Sequence, residues 1–358
     1  MGSLEDQFFQ RQIQVPEIGF VGQKKWKDSS VLVIGLGGLG CPAALHLSLA
    51  GIGRIGLVDF DLVEVPNLHR QTLFTLDDVG KPKTEVVAKK LSEHCPWLRV
   101  ECFSELISES TKPELFNSWD IVLDCTDTIT SKYAINDLCI KKSIPLVTAS
   151  VFRTSAQFAI FSGEGKPCYR CLFPDLQEGD TLNCSIGGVL GVQTALAGTY
   201  QTSLVLQYLL DPDNTDLTSV YFLEWNPPTL FQSKIDPNLG CPSCGSGKKE
   251  INFESDRLEI HVEDFLSYQT RGNVLLVDVR EKEEADAQPI PGCFPLPLSE
   301  LEKGFMPELQ NNITLVCICE TGVRSKKALT YLPNNLEKYS LVGGRRAYTQ
   351  FIKKQISD

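Results

Sequence analysis

Residues 31–40 read VLVIGLGGLG, four apolar residues running directly into Gly35-Leu-Gly37-Gly38-Leu-Gly40. This stretch limits what the chain can become. A continuous apolar run of this length reads as a buried strand, and the G-x-G-x-x-G spacing reads as a tight turn opening into a helix. Glycines there let the backbone come close to a phosphate at the helix N-terminus. RIGLVDFD (54–61) reads as the next strand and brings Asp59 to its end, about 20 residues beyond the turn, where an acid can grip ribose hydroxyls. A glycine turn that merely packed a helix on a strand would need no such acid. The pattern equally suits a nicotinamide dinucleotide and ATP.

The rest of the chain extends the same alternation. The helix after the turn runs to about Ala50, and Gly51-Ile-Gly53 closes it, as glycine suits a helix C-terminus. Residues 81–91 have a helical pattern, and DIVLD (120–124) and IPLVTAS (144–150) read as further strands. Strands alternating with helices predict an α/β fold, a Rossmann-like, mainly parallel, doubly wound sheet. With 358 residues, two domains are expected. Composition changes after Gly240, where CPSCGSGKKEINFESD (241–256) is polar and linker-like. Beyond it, a helix over 261–268, a strand over 274–279 and a strand-loop over 313–325 predict a small α/β domain. The expected division is residues 1–247, a linker at 248–258, and 259–358. There is no internal repeat.

Some classes are disfavoured. The net charge of −11 argues against a general nucleic-acid binder. Thr181 to Leu210 carries no charge and is long enough to cross a bilayer, but Gln193, Gln201, Gln207 and several threonines predict a buried helix instead. MGSLEDQFFQ has no apolar signal core, and position 6 is Asp, so Gly2 does not complete a myristoylation pattern. A cytoplasmic protein is expected, without membrane association, its 13 cysteines reduced and available as ligands or nucleophiles.

The neighbours of the glycine turn choose the nucleotide. NLHRQ (67–71) and GKPK (80–83) place Asn67, Arg70 and Lys83 just beyond the second strand, and DCTDT (124–128) places Asp127 just beyond the third. Ligands of such sheets bind at the carboxyl ends of the strands. Cations with an added acid suit a triphosphate and Mg²⁺. Hydride transfer needs neither.

QRQIQVPEIG (10–19), GLGGLGCPAALHLSLAGIGRIGLVDFD, NLHRQ, GKPK and LDCTDT together resemble the ThiF/MoeB family of ubiquitin-activating-like adenylyltransferases, from about Arg11 to Cys244. The resemblance implies a homodimer that uses ATP and Mg²⁺ to adenylate the C-terminal Gly-Gly carboxylate of a small ubiquitin-fold protein. By position, Gly35, Gly37, Gly38 and Gly40 form the nucleotide turn and Asp59 binds ribose. Asn67, Arg70 and Lys83 surround the triphosphate, Arg11 reaches it, often from the partner subunit, and Asp127 holds Mg²⁺. Thr128 stands where the family commonly has Asn, and Phe8-Phe9 where it usually has Arg-Tyr.

Two C-x-x-C pairs, Cys168–Cys171 and Cys241–Cys244, suit a closed four-thiolate zinc site, which would clamp the end of the first domain onto its middle. A redox C-x-x-C would need only one pair. GDTLNCSIGGVLG (179–191) sets Cys184 in a polar, glycine-flanked loop before the uncharged helix, where a thiol ionises more readily. Sulfur-transferring members of the family carry Cys there on a crossover loop.

TLVCICETGVRS (314–325) is an apolar strand followed by Cys319-Glu-Thr-Gly-Val-Arg-Ser325, with a helix beginning after it. Backbone amides of such a loop cradle an anion, and with Arg324 would stabilise a thiolate or persulfide on Cys319. Cys317 belongs to the strand. With LLVDVREKEE (275–284), IPGCFPLPLSEL (290–301) and LVGGRRAY (341–348), this loop resembles the rhodanese sulfurtransferase domain over about 259–350. The resemblance implies a Cys319 persulfide, with Asp278 and Arg280 architectural. Glu320 is expected to oppose an anionic donor such as thiosulfate, favouring a protein persulfide. Four residues separate Cys319 from Arg324, one fewer than in the phosphatase cradle.

Together the halves resemble a fused adenylyltransferase and sulfurtransferase of the kind that serves molybdopterin-synthase small subunits or ubiquitin-related modifiers, with a cysteine desulfurase as a sulfur donor. The Cys319 persulfide would attack the acyl-adenylate and Cys184 would release the thiocarboxylate, or Cys184 would form a thioester first. The alternative is an adenylating enzyme acting on a peptide or another carboxylate, since fold does not fix substrate.

Overall fold

The structure is a computed structural model that describes residues 4–108, 111–174, 176, 188–246, 258–262, 264–266, 274–306, 313–333 and 336–357. Cys184 and residues 247–257 lie outside the described residues. The chain forms two compact units, Met1–Ile251 and Asn252–Asp358.

In the first unit, short helices α1 (Leu4–Phe8) and α2 (Gln10–Ile13) precede α3 (Gly19–Lys27). Strand β1 (Ser30–Ile34) is buried along its whole length, as a central parallel strand must be. The turn leads into α4 (Gly40–Ala50), then β2 (Arg54–Val58), α5 (Lys83–His94), β3 (Arg99–Phe103), β4 (Ile121–Asp124), α6 (Ile129–Lys142) and β5 (Leu146–Phe152). The helix expected over 81–91 thus begins at Lys83 and runs to His94. Gly51, at φ +92°, closes α4 in the left-handed conformation.

The sheet is eight-stranded in the order β3-β2-β1-β4-β5-β6-β7-β8. Strands β3 to β5 are parallel, as the βα alternation predicts. The antiparallel extension β6 (Ser155–Phe161), β7 (Ser219–Glu224) and β8 (Thr229–Lys234) is an addition the sequence reading did not contain. Short α7 (Tyr169–Leu172) follows β6.

The uncharged stretch becomes α8 (Gly191–Leu210), packed on α4, β5 and β6. Its buried amides are satisfied internally: Gln201 Nε2 donates to Asp124 O at 2.8 Å, and Gln193 Nε2 donates to Thr154 O. Among the described residues, no helix is long and apolar enough to cross a membrane.

The second unit is an all-parallel five-stranded sheet in the order β11-β10-β12-β13-β9. Its strands are β9 (Glu259–Ile260), β10 (Val274–Asp278), β11 (Phe294–Pro295), β12 (Thr314–Ile318) and β13 (Lys338–Leu341). Helices α9 (Lys282–Ala287), α10 (Leu298–Glu302), α11 (Val323–Ala328) and α12 (Gly344–Ser357) lie between and after them. Apolar clusters flank the sheet, one around Leu315, Cys317 and Leu329, the other around Ile260, Phe265 and Val316. Both faces of β12 are therefore buried, and the Cys319 loop leaves from its end.

Candidate functional site

The glycine turn is held from below. Gly35, at φ +90°, donates its amide to Val58 O at 2.8 Å. A Cβ on Gly40 would lie 1.8 Å from Gly35 O, and one on Gly38 would lie 2.8 Å from Thr194 Oγ1 of α8. Those glycines are demanded by the fold itself. Gly37 differs: an added Cβ would meet only Gln71 Nε2, at 3.8 Å. The open side of the turn is at Gly37, which is where a phosphate can approach.

Asp59 ties the turn together. Its Oδ2 accepts from Leu36 N at 2.6 Å and its Oδ1 from Asp61 N at 2.8 Å. Burial pushes this carboxyl up, against Lys83 and the two amides. Lys83, the first residue of α5, is buried and pairs with Asp61 Oδ2 at 2.9 Å. Burial opposes its charge, but Asp59 and Asp61 together raise its pKa above the ordinary lysine value. Lys83 thus stands as a fixed ammonium beside the turn.

Arg70 is half-buried and oriented by its own segment. Its Nη2 donates to Asn67 Oδ1 at 2.8 Å, and its Nη1 lies 2.9 Å from His69 Nε2 and 3.3 Å from Pro66 O. Beside it, Gln71 is buried and its Oε1 has no partner among the described residues. A buried orphan acceptor costs about 1–3 kcal/mol, and the Nε2 of the same amide faces Gly37.

The two acids of LDCTDT separate. Asp124 is fully buried, bonded to Lys132 Nζ at 2.8 Å and Thr148 Oγ1 at 2.6 Å. Asp127 is exposed and takes part in no hydrogen bond or ion pair among the described residues. The backbone just before it touches the turn, since a Cβ on Gly35 would lie 2.8 Å from Cys125 O. Thr128 caps α6, its Oγ1 accepting from Ser131 N at 3.4 Å.

Arg11 is not brought to this cluster by its own chain. It is exposed on α2, and its neighbour Gln12 donates to Ala50 O at 2.8 Å, at the far end of α4. That helix of 11 residues is about 16 Å long, with the glycine turn at its other end.

The four cysteines converge. Cys168 Sγ lies 3.6 Å from Cys241 Sγ, Cys171 Sγ lies 3.4 Å from Cys244 Sγ, and all four sulfurs lie within 4.8 Å of one another. Metal–sulfur bonds of about 2.3 Å put tetrahedral edges near 3.8 Å, so this donor set fits zinc. Burial pushes the Cys168 thiol up and Cys244 to about 11, so these two call for a cation to ionise. Burial of Cys241 is outweighed by hydrogen bonds from the Cys244 and Ser243 amides, which hold its thiol below the ordinary value.

Cys184 itself lies outside the described residues. The segment after it is clamped to the β5–β6 bend, with Arg153 N donating to Gly188 O at 3.2 Å and Leu190 N to Arg153 O at 2.9 Å.

In the second unit, Cys319 is buried at the end of β12. Gly322 N donates to its Sγ at 3.1 Å, and Ser325 Oγ lies 3.6 Å away. Gly322 adopts φ +100°, which lets the loop fold back over the sulfur. Ser325 Oγ donates to Gly322 O at 2.9 Å, and Arg345 N donates to Cys319 O at 2.7 Å.

Two expectations about this loop change. Arg324 gives its hydrogen bonds to Glu284 rather than to the sulfur, its Nη1 and Nη2 donating at 2.5 and 2.7 Å, while it remains within electrostatic reach of Cys319. Glu320 is not a free acid: Arg345 donates to it at 2.7 and 2.9 Å and Arg346 at 3.3 Å. Burial works against the Glu320 charge, but Arg345 and Arg346 hold its carboxyl below the ordinary range. Asp278 and Arg280 form a buried bidentate pair, and Cys317 lies within the strand, pushed up to about 12 by burial. Sequence reasoning missed Gln71, Lys132, Glu284 and Arg345. The only signal was composition, a lysine on the helix that follows LDCTDT and paired charges near a Cys loop.

A model of the ThiF family matches residues 9–244, and the rhodanese-like domain matches residues 261–350. The chain belongs to the ThiF family. It is 33% identical over 379 residues to "Adenylyltransferase and sulfurtransferase MOCS3" of Drosophila willistoni, covering 96% of this chain and 82% of that protein. The Danio rerio protein of the same name is 33% identical over 366 residues, covering 90% and 79%. Among solved structures, E. coli MccB with succinimide aligns at TM-score 0.60 and 23% identity, covering 68% of this chain and 75% of that one. E. coli MccB with ATP aligns at TM-score 0.56 and 23% identity, covering 63% and 69%. These structures share the fold of this ThiF-family chain.

Proposed function

We propose that the chain is an adenylyltransferase and sulfurtransferase. The first unit joins AMP from ATP to the C-terminal glycine carboxylate of a ubiquitin-fold sulfur-carrier protein. The second supplies sulfur from Cys319, giving a C-terminal thiocarboxylate. The observation that carries this reading is a glycine turn open at Gly37, with the fixed Lys83 ammonium paired to the acids that follow β2, Arg70 oriented by Asn67, and Asp127 exposed just beyond β4 and without a partner among the described residues. That set serves phosphate charge rather than hydride transfer.

A carboxylate is a poor electrophile, and its AMP ester carries a good leaving group. Lys83 and Arg70 stabilise charge on the phosphates as pyrophosphate departs. Asp127 would hold Mg²⁺, which neutralises phosphate charge when bound. In this reading Arg11 reaches the site from the second copy of a homodimer, which the place of α2 at the opposite end of α4 in its own chain supports. The four cysteines would hold a structural zinc. They leave no open ligand position and take no part in the chemistry.

The Cys319 persulfide attacks the acyl carbon and AMP leaves, giving an acyl disulfide. A thiolate, Cys184 in this reading, attacks Cys319 Sγ and releases the thiocarboxylate, leaving a Cys184–Cys319 disulfide for an external dithiol to reduce. The product would serve molybdopterin synthesis or tRNA thiolation, with a cysteine desulfurase as sulfur donor in the cytoplasm. The test is intact mass spectrometry of Gly-Gly-ending ubiquitin-fold proteins incubated with the enzyme, ATP, Mg²⁺ and a persulfide donor. Exchange of one oxygen for sulfur is expected. Absence of both adenylate and thiocarboxylate across the candidates overturns the reading.

A further inference from the structure

Both ionised side chains of the Cys319 loop are held by groups outside it. Glu320 lies among Arg345, Arg346 and, at 4.0 Å, Arg280, so it presents no net negative field to a donor. The discrimination expected of Glu320 must come from elsewhere. Arg324 is the loop's own cation, and Glu284 takes both of its terminal nitrogens. Glu284 is itself fixed at the start of α9, where its Oε2 accepts from Glu281 N at 3.2 Å in a capping box. Among the described residues, Cys319 Sγ is bonded by Gly322 N and approached by Ser325 Oγ, and no cationic side chain hydrogen-bonds it; Arg324 is within its electrostatic reach but gives its hydrogen bonds to Glu284.

We propose that Glu284 is a positioning residue for sulfur transfer: it neutralises Arg324 and withholds it from small anionic donors, reserving Cys319 for sulfur delivered by a docked protein persulfide. The inference rests on reading Cys319 as the persulfide cysteine.

The chemistry explains why the guanidinium matters. With thiosulfate, the Cys319 thiolate attacks the sulfane sulfur, the S–S bond breaks, and sulfite leaves as a dianion. A free guanidinium would bind the incoming dianion and stabilise the departing one. With a protein persulfide, the thiolate attacks the outer sulfur and a single thiolate leaves on the partner. Docking then supplies the binding energy, and no loop cation is needed. The hydrogen bond from Arg324 holds Glu284 below the ordinary carboxylate range, so the pair stays ionised at neutral pH.

The test uses the full chain and two alkylating probes, anionic iodoacetate and neutral iodoacetamide. Modification of Cys319 is followed by peptide mass mapping. The ratio of the two rates cancels the thiolate fraction and reports the local field. In Glu284→Gln the iodoacetate-to-iodoacetamide ratio is expected to rise about fivefold, the scale of one unscreened charge at a half-exposed site. Gln preserves the capping box. Adding Arg324→Ala returns the ratio to near wild type, and Glu284→Asp leaves it near wild type. The KM for thiosulfate falls in Glu284→Gln more than kcat changes.

An unchanged ratio in Glu284→Gln overturns the inference, as does a rise that survives removal of Arg324. If Glu284→Gln does not fold, Arg324→Ala alone decides: a neutralised Arg324 predicts an unchanged ratio, and a large fall overturns the proposal. Failure of Cys319 to gain one sulfur atom from a persulfide-charged cysteine desulfurase would instead remove the persulfide reading, a distinguishable result.

Discussion

The two sites are built on opposite electrostatic plans. Around the glycine turn, groups are oriented yet left with capacity: among the described residues, Gln71 Oε1 and the exposed Asp127 have no partner, and Gly37 faces open space. Around Cys319 the charges are spent on one another, Glu320 on Arg345 and Arg346, Arg324 on Glu284, Arg280 on Asp278. The first arrangement suits a highly charged small ligand that brings its own counter-charges. The second suits a sulfur atom handed over by a large partner, with the loop's shape already set.

The strongest way to break the comparison is to remove the sulfur. Cys319→Ala should abolish sulfur transfer, by more than about 10³-fold, while ATP–pyrophosphate exchange stays at the wild-type rate. Loss of exchange would show that the two units do not act separately.

Asp127→Ala should reduce adenylation by about 10²–10³-fold with an unchanged melting temperature, because the side chain bonds to nothing among the described residues. Lys83→Ala should lose both activity and stability, because it strands Asp59 and Asp61. A lower melting temperature for Asp127→Ala would show that its side chain belongs to the scaffold.

Two glycines sharpen the distinction between turn and ligand. Gly40→Ala should unfold or strongly destabilise the first unit, since its Cβ falls on Gly35 O. Gly37→Ala should keep the wild-type melting temperature and weaken ATP binding about tenfold, roughly 1.4 kcal/mol, measured by calorimetry.

The smallest effect is pH dependence in the second unit. Arg345 and Arg346 depress the Glu320 pKa on folding. A depressed carboxylate contributes stability above its unfolded pKa, near 4.5, and that stability is lost as pH falls through the lower folded value. Acid titration of the wild type should therefore show a decline below about pH 4.5 that Glu320→Gln flattens.

Much of the parallel half was legible because local pattern and tertiary role coincide there. VLVIG is apolar throughout because β1 is covered on both faces, and Gly51 ends α4 because that position needs positive φ. The paired cysteines were legible because metal ligands require fixed residue types at short spacing. The antiparallel strands β6–β8 were not, because alternation over six or seven residues resembles any surface segment. LDCTDT could not say which acid faces solvent. Asp124 is buried because Lys132, one turn into α6, and Thr148 on β5 meet it from distant parts of the chain.

The sequence alone determined the nucleotide turn, the cysteine knuckles and the Cys319 loop, since each is local and depends on residue type at fixed spacing. Only the tertiary structure decided which charges remain available. Arg11 is carried with α2 to the end of α4 opposite the glycine turn, Arg324 is taken by Glu284 and Glu320 by Arg345. Charge pairing depends on distances of a few ångströms between residues far apart in sequence, and Coulomb energies change steeply over such distances.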